Sequence, residues 1–315
     1  MKSSNIGGQA VLEGIMMKNG DAYAVAVRKP DGEIEVKKEY ADTKRFDKAK
    51  KIPFVRGVFQ FIDSLVLGMK TLTYSASFFE DEETTAMSEE EAKKQEKKDS
   101  IFMTITMFVS VLLAVGIFVV LPTLFAGWIG KFAKSDVLEV ILEGLMRIAI
   151  FVGYITLVSL MKDIRRTFMY HGAEHKCINC IETGKDLTIE GVRASSKEHK
   201  RCGTSFLFYV MFVSIILFSF LNFESQVIKV VVRIALVPVI AGISYEIIKL
   251  AGNSDNFIVN LVSKPGLWLQ KLTTKEPEDD MIEVAIQAVE KVFDWKSYQA
   301  ENFGKTFEEE NHESA

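Results

Sequence analysis

From Ile101 to Gly130 the chain runs for thirty residues without a charged side chain, and from Gly203 to Phe223 for another twenty-one. A bilayer crossing takes about 20 predominantly apolar residues. These two runs predict an integral membrane protein, a feature concealed by overall averages of 48% hydrophobic and 25% charged residues. Two further stretches, about 137–161 and 227–250, complete a domain of four transmembrane helices over 101–250, arranged as two hairpins. The first residues, MKSSNIGGQA, lack the apolar core of a signal peptide, so targeting is expected from the internal spans.

The loop at 162–202 carries nine basic residues, whereas Lys131 and Lys134 are the only ones between the first two spans. Translocating basic residues is disfavoured, so the longer loop is expected in the cytoplasm. Both termini then lie inside, in a multi-pass protein of the bacterial cell membrane. A formal charge of −4 offers no positive field for nucleic acid, which is excluded as a partner. Membrane lipids are the expected surroundings.

The flanks of the spans are patterned differently. Residues 9–17, 21–29 and 33–40 are apolar or alternate, separated by Asn19-Gly20 and Pro30-Asp31-Gly32, so 1–50 reads as a cytoplasmic three-stranded β-meander. Gly7-Gly8 reads as a flexible lead-in, because no phosphate-loop pattern follows. Over 54–79, Arg56, Asp63 and Lys70 recur every seven residues, which predicts an amphipathic helix lying on the membrane or packed against the spans. Residues 80–99 form a charged linker or a frayed helix. Pro122 and Gly127 are expected to end or kink the first span, and Lys264-Pro265-Gly266 to break the chain after the fourth. A C-terminal cytoplasmic unit at 264–315 contains a helix from Glu278 to Phe293 and an acidic tail. The overall fold class is a mainly α membrane protein.

Within the second span Glu139, Glu143 and Arg147 are spaced by four, which predicts an ion pair at the outer edge with snorkelling chains. Lys229 and Arg233 share one face near the outer end of the fourth span and are placed to pair with those carboxylates.

Chemistry concentrates elsewhere. Three of the four histidines and all three cysteines fall between 171 and 202. On a helix His171 and His175 project from one side and can reach one cation. With Glu174 they form H-x-x-E-H, the pattern of inverted zincins, in which two histidines bind zinc and the glutamate activates water. His199 and Cys202 precede the third span, while His171 and His175 follow the second, so antiparallel neighbours bring the groups together. A cytoplasmic thiol is normally reduced, and thiolate with imidazole favours zinc over magnesium or calcium, although another transition metal is possible. The preferred ligands are His171, His175, His199 and Cys202, or His171 and His175 with one of the latter pair and a position left open. A second set would join Cys177 and Cys180 to His199 and Cys202. Glu246 is either a carboxylate near the site or the partner of Lys249 or an arginine.

Four strings resemble a known family: GGQAVLEGIMM at 7–17, HGAEHK at 171–176, RCGTSF at 201–206 and PGLWLQKLTTKEP at 265–277. They are similar to the YqhQ-like bacterial multi-pass membrane proteins, described as predicted metal-dependent enzymes. The resemblance implies roles for His171, Glu174, His175, His199 and Cys202 and demands no cysteine at 177 or 180. The expected function is a membrane-embedded zinc hydrolase with Glu174 as general base. It would act near the inner membrane surface on a lipid-linked substrate or a membrane protein. The alternative is a non-enzymatic membrane scaffold or assembly factor with a structural zinc.

Overall fold

The computed structural model describes residues 3–41, 46, 48–79, 89–133, 136–221, 223, 225–253 and 256–307. Four antiparallel strands, β1 (Ile6–Val11), β2 (Gly14–Asn19), β3 (Ala22–Arg28) and β4 (Ile34–Tyr40), form a sheet in sequential order. The expected meander had three. Its first strand is split by a two-residue turn at Leu12-Glu13, where Val11 pairs with Gly14 and Glu13 takes φ +47°. A β-carbon makes that conformation unfavourable. It is held from outside: Arg166 grips the Glu13 carboxylate with two bonds of 2.6 Å, and the Tyr170 hydroxyl donates a third at 3.3 Å.

Helix α1 (Val55–Ala76) covers one face of the sheet, setting Leu67 and Tyr74 against Val11, Tyr23 and Val25. Its polar stripe is spent on protein partners. Arg56 pairs with Glu246, Asp63 with Lys50 and Lys70 with Glu39. Glu246 therefore belongs to an arginine.

Helix α2 (Glu89–Val115) continues through a π-turn at Gly116–Val120 into α3 (Leu121–Ala133). The expected linker is thus helical from Glu89 onward, because Glu, Lys, Ala and Gln are strong helix formers; residues 80–88 lie outside the described residues. Pro122 does not end the helix. Lacking an N–H, it frees the carbonyl four residues back, that of Phe118, and Arg147 donates to it from Nε at 3.1 Å. Helix α4 (Asp136–Val158) packs beside α3.

Next come α5 (Lys162–Glu182), α6 (Ile189–Arg193), α7 (Gly203–Ser219), α8 (Gln226–Ala235), α9 (Val237–Asn253), α10 (Phe257–Thr273), α11 (Asp279–Val292) and α12 (Trp295–Phe303). Helix α10 runs through Pro265 where a break was expected. It is clamped on α7, so closely that a β-carbon at Gly266 would lie 2.8 Å from Ser205 Oγ.

Among the described residues two segments, Thr104–Ile129 and Ile141–Val158, are long and apolar enough to cross a membrane, and α8 with α9, bent by 43°, makes a third if taken as one span. The run beginning at Gly203 forms a helix of 17 residues. At 1.5 Å per residue that is about 25 Å, short of a hydrocarbon core of about 30 Å.

The other face of the sheet packs on α5 and α11, around Ile15, Met17, Cys177, Ile181, Ile282 and Val289. Segments from the start, middle and end of the chain thus share one core. Helix α5 is buried from Gly172 to Glu182.

The expected snorkelling pair at the edge of the second span is not found. Glu143, Arg147 and Arg233 are 3%, 5% and 2% exposed and bond to one another inside the bundle, because two arginines from different helices share one carboxylate. The side chain of Glu139 lies outside the described residues.

Candidate metal centre

One face of α5 organises the centre. His175, Lys176 and Asn179 grip the carbonyls of the following loop: His175 Nδ1 donates to Lys197 at 2.7 Å, Lys176 to Arg193 and Ser195, and Asn179 to Ser196 and Glu198. Gln270 on α10 closes the loop by accepting from the His199 N–H at 2.9 Å and donating to the His199 carbonyl at 2.8 Å. These contacts deliver Cys202, the N-cap residue of α7, to the two imidazoles of α5.

His171 Nδ1 donates to the Thr273 carbonyl at 3.0 Å. Both rings therefore carry their Nδ1 proton on a backbone oxygen and turn Nε2 inward, the arrangement that orients metal-binding histidines. Ligand atoms of His171, His175 and Cys202 lie within 4.8 Å of one another, and Cys202 Sγ is 3.4 Å from His171 Nε2. Tetrahedral zinc with ordinary Zn–N and Zn–S lengths separates its donors by roughly 3.3–3.6 Å. The His171–Cys202 distance falls in that range, the three donors together span up to 4.8 Å, and imidazole and thiolate are donors that zinc accepts.

Electrostatics agree with the geometry. Burial alone would raise the Cys202 pKa, but the two adjacent histidines outweigh it and hold the thiol well below its usual range. Burial likewise lowers that of His171, yet the Cys202 thiolate dominates, followed by Glu174, raising it to about 9. The centre is an imidazolium–thiolate pair, with charge available for exchange with a cation.

A cavity of about 290 Å³ opens beside these groups, lined by Gly7 and Gly8 of β1 together with Glu174, His199 and Arg201. The Glu174 carboxylate stands 3.9 Å from His171 Nε2 and is 5% exposed. It lies over β1 only because position 8 has no side chain: a β-carbon there would come within 2.7 Å of Glu174 Cγ. Gly7-Gly8 is therefore part of the site wall inside a strand, and not a flexible lead-in.

Among the four expected ligands His199 stands apart. Its ring centroid is 5.8 Å from that of His175, and its Nε2 lies 3.4 Å from Glu182. Glu182 also accepts from Arg201 and from the backbone and hydroxyl of Ser4. Burial tends to raise its pKa, but His199 and Arg201 prevail and lower it to about 2. Cys177 is buried in the core and Cys180 donates to the Asp186 carbonyl at 3.1 Å, so the alternative cysteine set is not assembled. Sequence reasoning missed Gly8, Glu182 and Arg201. For Arg201 a signal existed, since it adjoins Cys202.

A sequence profile of the family described as "Protein of unknown function (DUF1385)" matches residues 52–295, which include every residue of the centre contributed by α5 and α7. The chain belongs to this family. It is similar to the Bacillus subtilis (strain 168) protein named "Uncharacterized protein YqhQ", with 32% identity over 300 residues, 94% of each chain. The family resemblance read from the sequence strings is thus established. No solved structure matches the chain.

Proposed function

We propose that this chain is a membrane-embedded, zinc-dependent hydrolase of the bacterial cell membrane, with His171, His175 and Cys202 as ligands and Glu174 as general base. The supporting observation is the convergence of three ligand atoms within 4.8 Å at a cavity that also receives a buried carboxylate. Three protein ligands with a vacant position characterise catalytic zinc, whereas structural sites close the sphere with four.

When bound, zinc supplies a Lewis acid and brings the pKa of a coordinated water towards about 7. Glu174 takes the proton from water and passes it to the leaving group. Thr273 and Lys197 keep both rings in the binding tautomer. Arg201, anchored by Glu182, forms the positive part of the wall.

In this reading α7, its shorter length matched by local thinning of the bilayer, and the bent α8–α9 pair are the third and fourth crossings, and both termini are cytoplasmic. The basic residues around the centre favour that side. The site then sits at the inner membrane surface, within reach of lipid-linked substrates and membrane proteins.

Purified protein is expected to hold one zinc per chain by elemental analysis, and His171→Ala to lose it. Absence of stoichiometric transition metal in the wild type would defeat the reading. Glu174→Gln is expected to retain zinc and fold while losing the cellular phenotype; an intact phenotype would assign the ion to a scaffold.

A further inference from the structure

The two edges of the sheet are unlike. Strand β4 carries Glu35, Lys37, Lys38 and Glu39, the charges with which proteins guard an open edge against further pairing. Strand β1, at the other edge, contains Gly7-Gly8 and runs along the cavity beside His171 and Glu174.

Register fixes which backbone groups of β1 face outward. The Arg28 N–H donates to the Glu13 carbonyl, so odd-numbered residues of β2 bond to β3 and even-numbered ones to β1. Gly14, Met16 and Lys18 are paired with Val11, Gln9 and Gly7. The N–H and C=O of Gly8 and Ala10 therefore point away from the sheet. Among the described residues nothing bonds to them, whereas the outward N–H of Ile6 is taken by Ser4 Oγ at 3.3 Å. Gly7 is exposed, and a β-carbon there would meet nothing within 4 Å.

We infer that the outer edge of β1 is a docking strand, and that its occupant is an extended polypeptide segment added to the sheet beside the metal centre. A chain paired with Gly8 and Ala10 would lie about 4.8 Å from β1. This brings its backbone carbonyls to the cavity wall where Glu174 rests over Gly8. Lipid-linked groups have no repeating N–H and C=O to match this edge; a polypeptide does. The chemistry rests on the hydrolase reading above, and the docking does not. The bond broken is the amide C–N: the oxygen of water joins the carbonyl carbon, Glu174 carries one proton to the departing nitrogen, and new carboxyl and amino termini result.

The test uses the full-length protein in detergent with zinc, and dephosphorylated β-casein as an unfolded polypeptide. Hydrogen exchange on Glu174→Gln protein is expected to slow at Gly8 and Ala10 when casein is added. Ala10→Pro removes one outward donor while sparing the β1–β2 ladder and is expected to weaken casein binding roughly 2- to 12-fold, the worth of one hydrogen bond. Should the proline variant fail to fold, the exchange measurement decides alone. Hydrolysis of p-nitrophenyl acetate by the wild type reports separately on the hydrolase. Ester hydrolysis without casein protection of β1 overturns the docking strand and leaves the hydrolase standing. Casein protection without zinc or ester hydrolysis overturns the hydrolase and retains the docking strand.

Discussion

Two clusters in this molecule are assembled on the same plan and end differently. In each, one helix supplies an i, i+4 pair and a second helix supplies the third member. On α4 the pair is Glu143 and Arg147, completed by Arg233 of α8; on α5 it is His171 and His175, completed by Cys202 of α7. In the first, the polar atoms bond to one another and to the fold, save Arg233 Nε, which is buried without a hydrogen-bond partner among the described residues. Arg147 donates to the Phe118 carbonyl, to Ser214 at 2.7 Å and to Glu143 at 2.8 Å, while Phe218 faces both guanidinium groups. In the second, Nδ1 of each histidine is spent on backbone and Nε2 is left pointing inward. Burial of polar groups alone does not distinguish a structural cluster from a reactive one. What separates these two is the direction of the side-chain atoms that the backbone leaves over.

The comparison breaks most sharply if the first cluster is also functional. Glu143→Ala leaves two buried arginines without their shared carboxylate, and removing one partner of a buried pair costs about 3–5 kcal/mol. Thermal unfolding in detergent should show that loss, with zinc content per chain unchanged. Loss of zinc at the same time would show that the clusters are coupled and that this division of roles is mistaken.

What could be read in advance follows the same division. The pairing of Glu143 with Arg233 was legible, since both charges sit on determinate helix faces near the same end of the bundle. Their burial was not, because it depends on how α3, α4, α7 and α8 close around them. At the candidate metal centre, the convergence of His171, His175 and Cys202 was legible from spacing and from antiparallel neighbours. His199 does not join them, because it is turned to Glu182, a residue that reads in the sequence as an ordinary charge at a helix end. Only tertiary structure shows that carboxylate buried between Ser4, His199 and Arg201. The hairpin at Leu12-Glu13 escaped for a similar reason: its strain is relieved by Arg166 and Tyr170, about 150 residues away in sequence.

Glu182 is the intermediate case, part of a buried ion cluster that borders the candidate metal centre. Its carboxyl is lowered from 4.5 to about 2. A depressed acid stabilises the fold above its unfolded pKa, and that contribution is lost as pH falls through about 2. The difference corresponds to about 3 kcal/mol at neutral pH. Glu182→Gln should therefore lower the unfolding free energy by a similar amount and remove the acid-side loss below pH 4.5. If the variant instead keeps full stability and loses zinc, Glu182 belongs with the metal centre.

The smallest effect separates the clusters by what their charges can do. In the metal-free centre His171 holds a proton up to about pH 9 while the Cys202 thiol has already lost its own. The unfolded chain carries the same number in the reverse arrangement, thiol protonated and imidazole neutral, between about pH 6.5 and 8.5. Proton counts balance, so these two groups leave the melting temperature of the metal-free protein nearly independent of pH in that window. Zinc binding breaks the balance, because the ion must displace the proton on His171. Apparent zinc affinity should rise about tenfold per pH unit towards 9 and then level off, about 1.4 kcal/mol per unit. Calorimetry in two buffers of different ionisation enthalpy counts the protons released, and one per zinc is expected. Two would mean that a second proton leaves, from a coordinated water or from a Cys202 that remains a thiol. A Cys202→Ser variant that still releases two assigns it to the water, whereas one that releases only one shows that the centre is no more poised for a cation than the arginine cluster is.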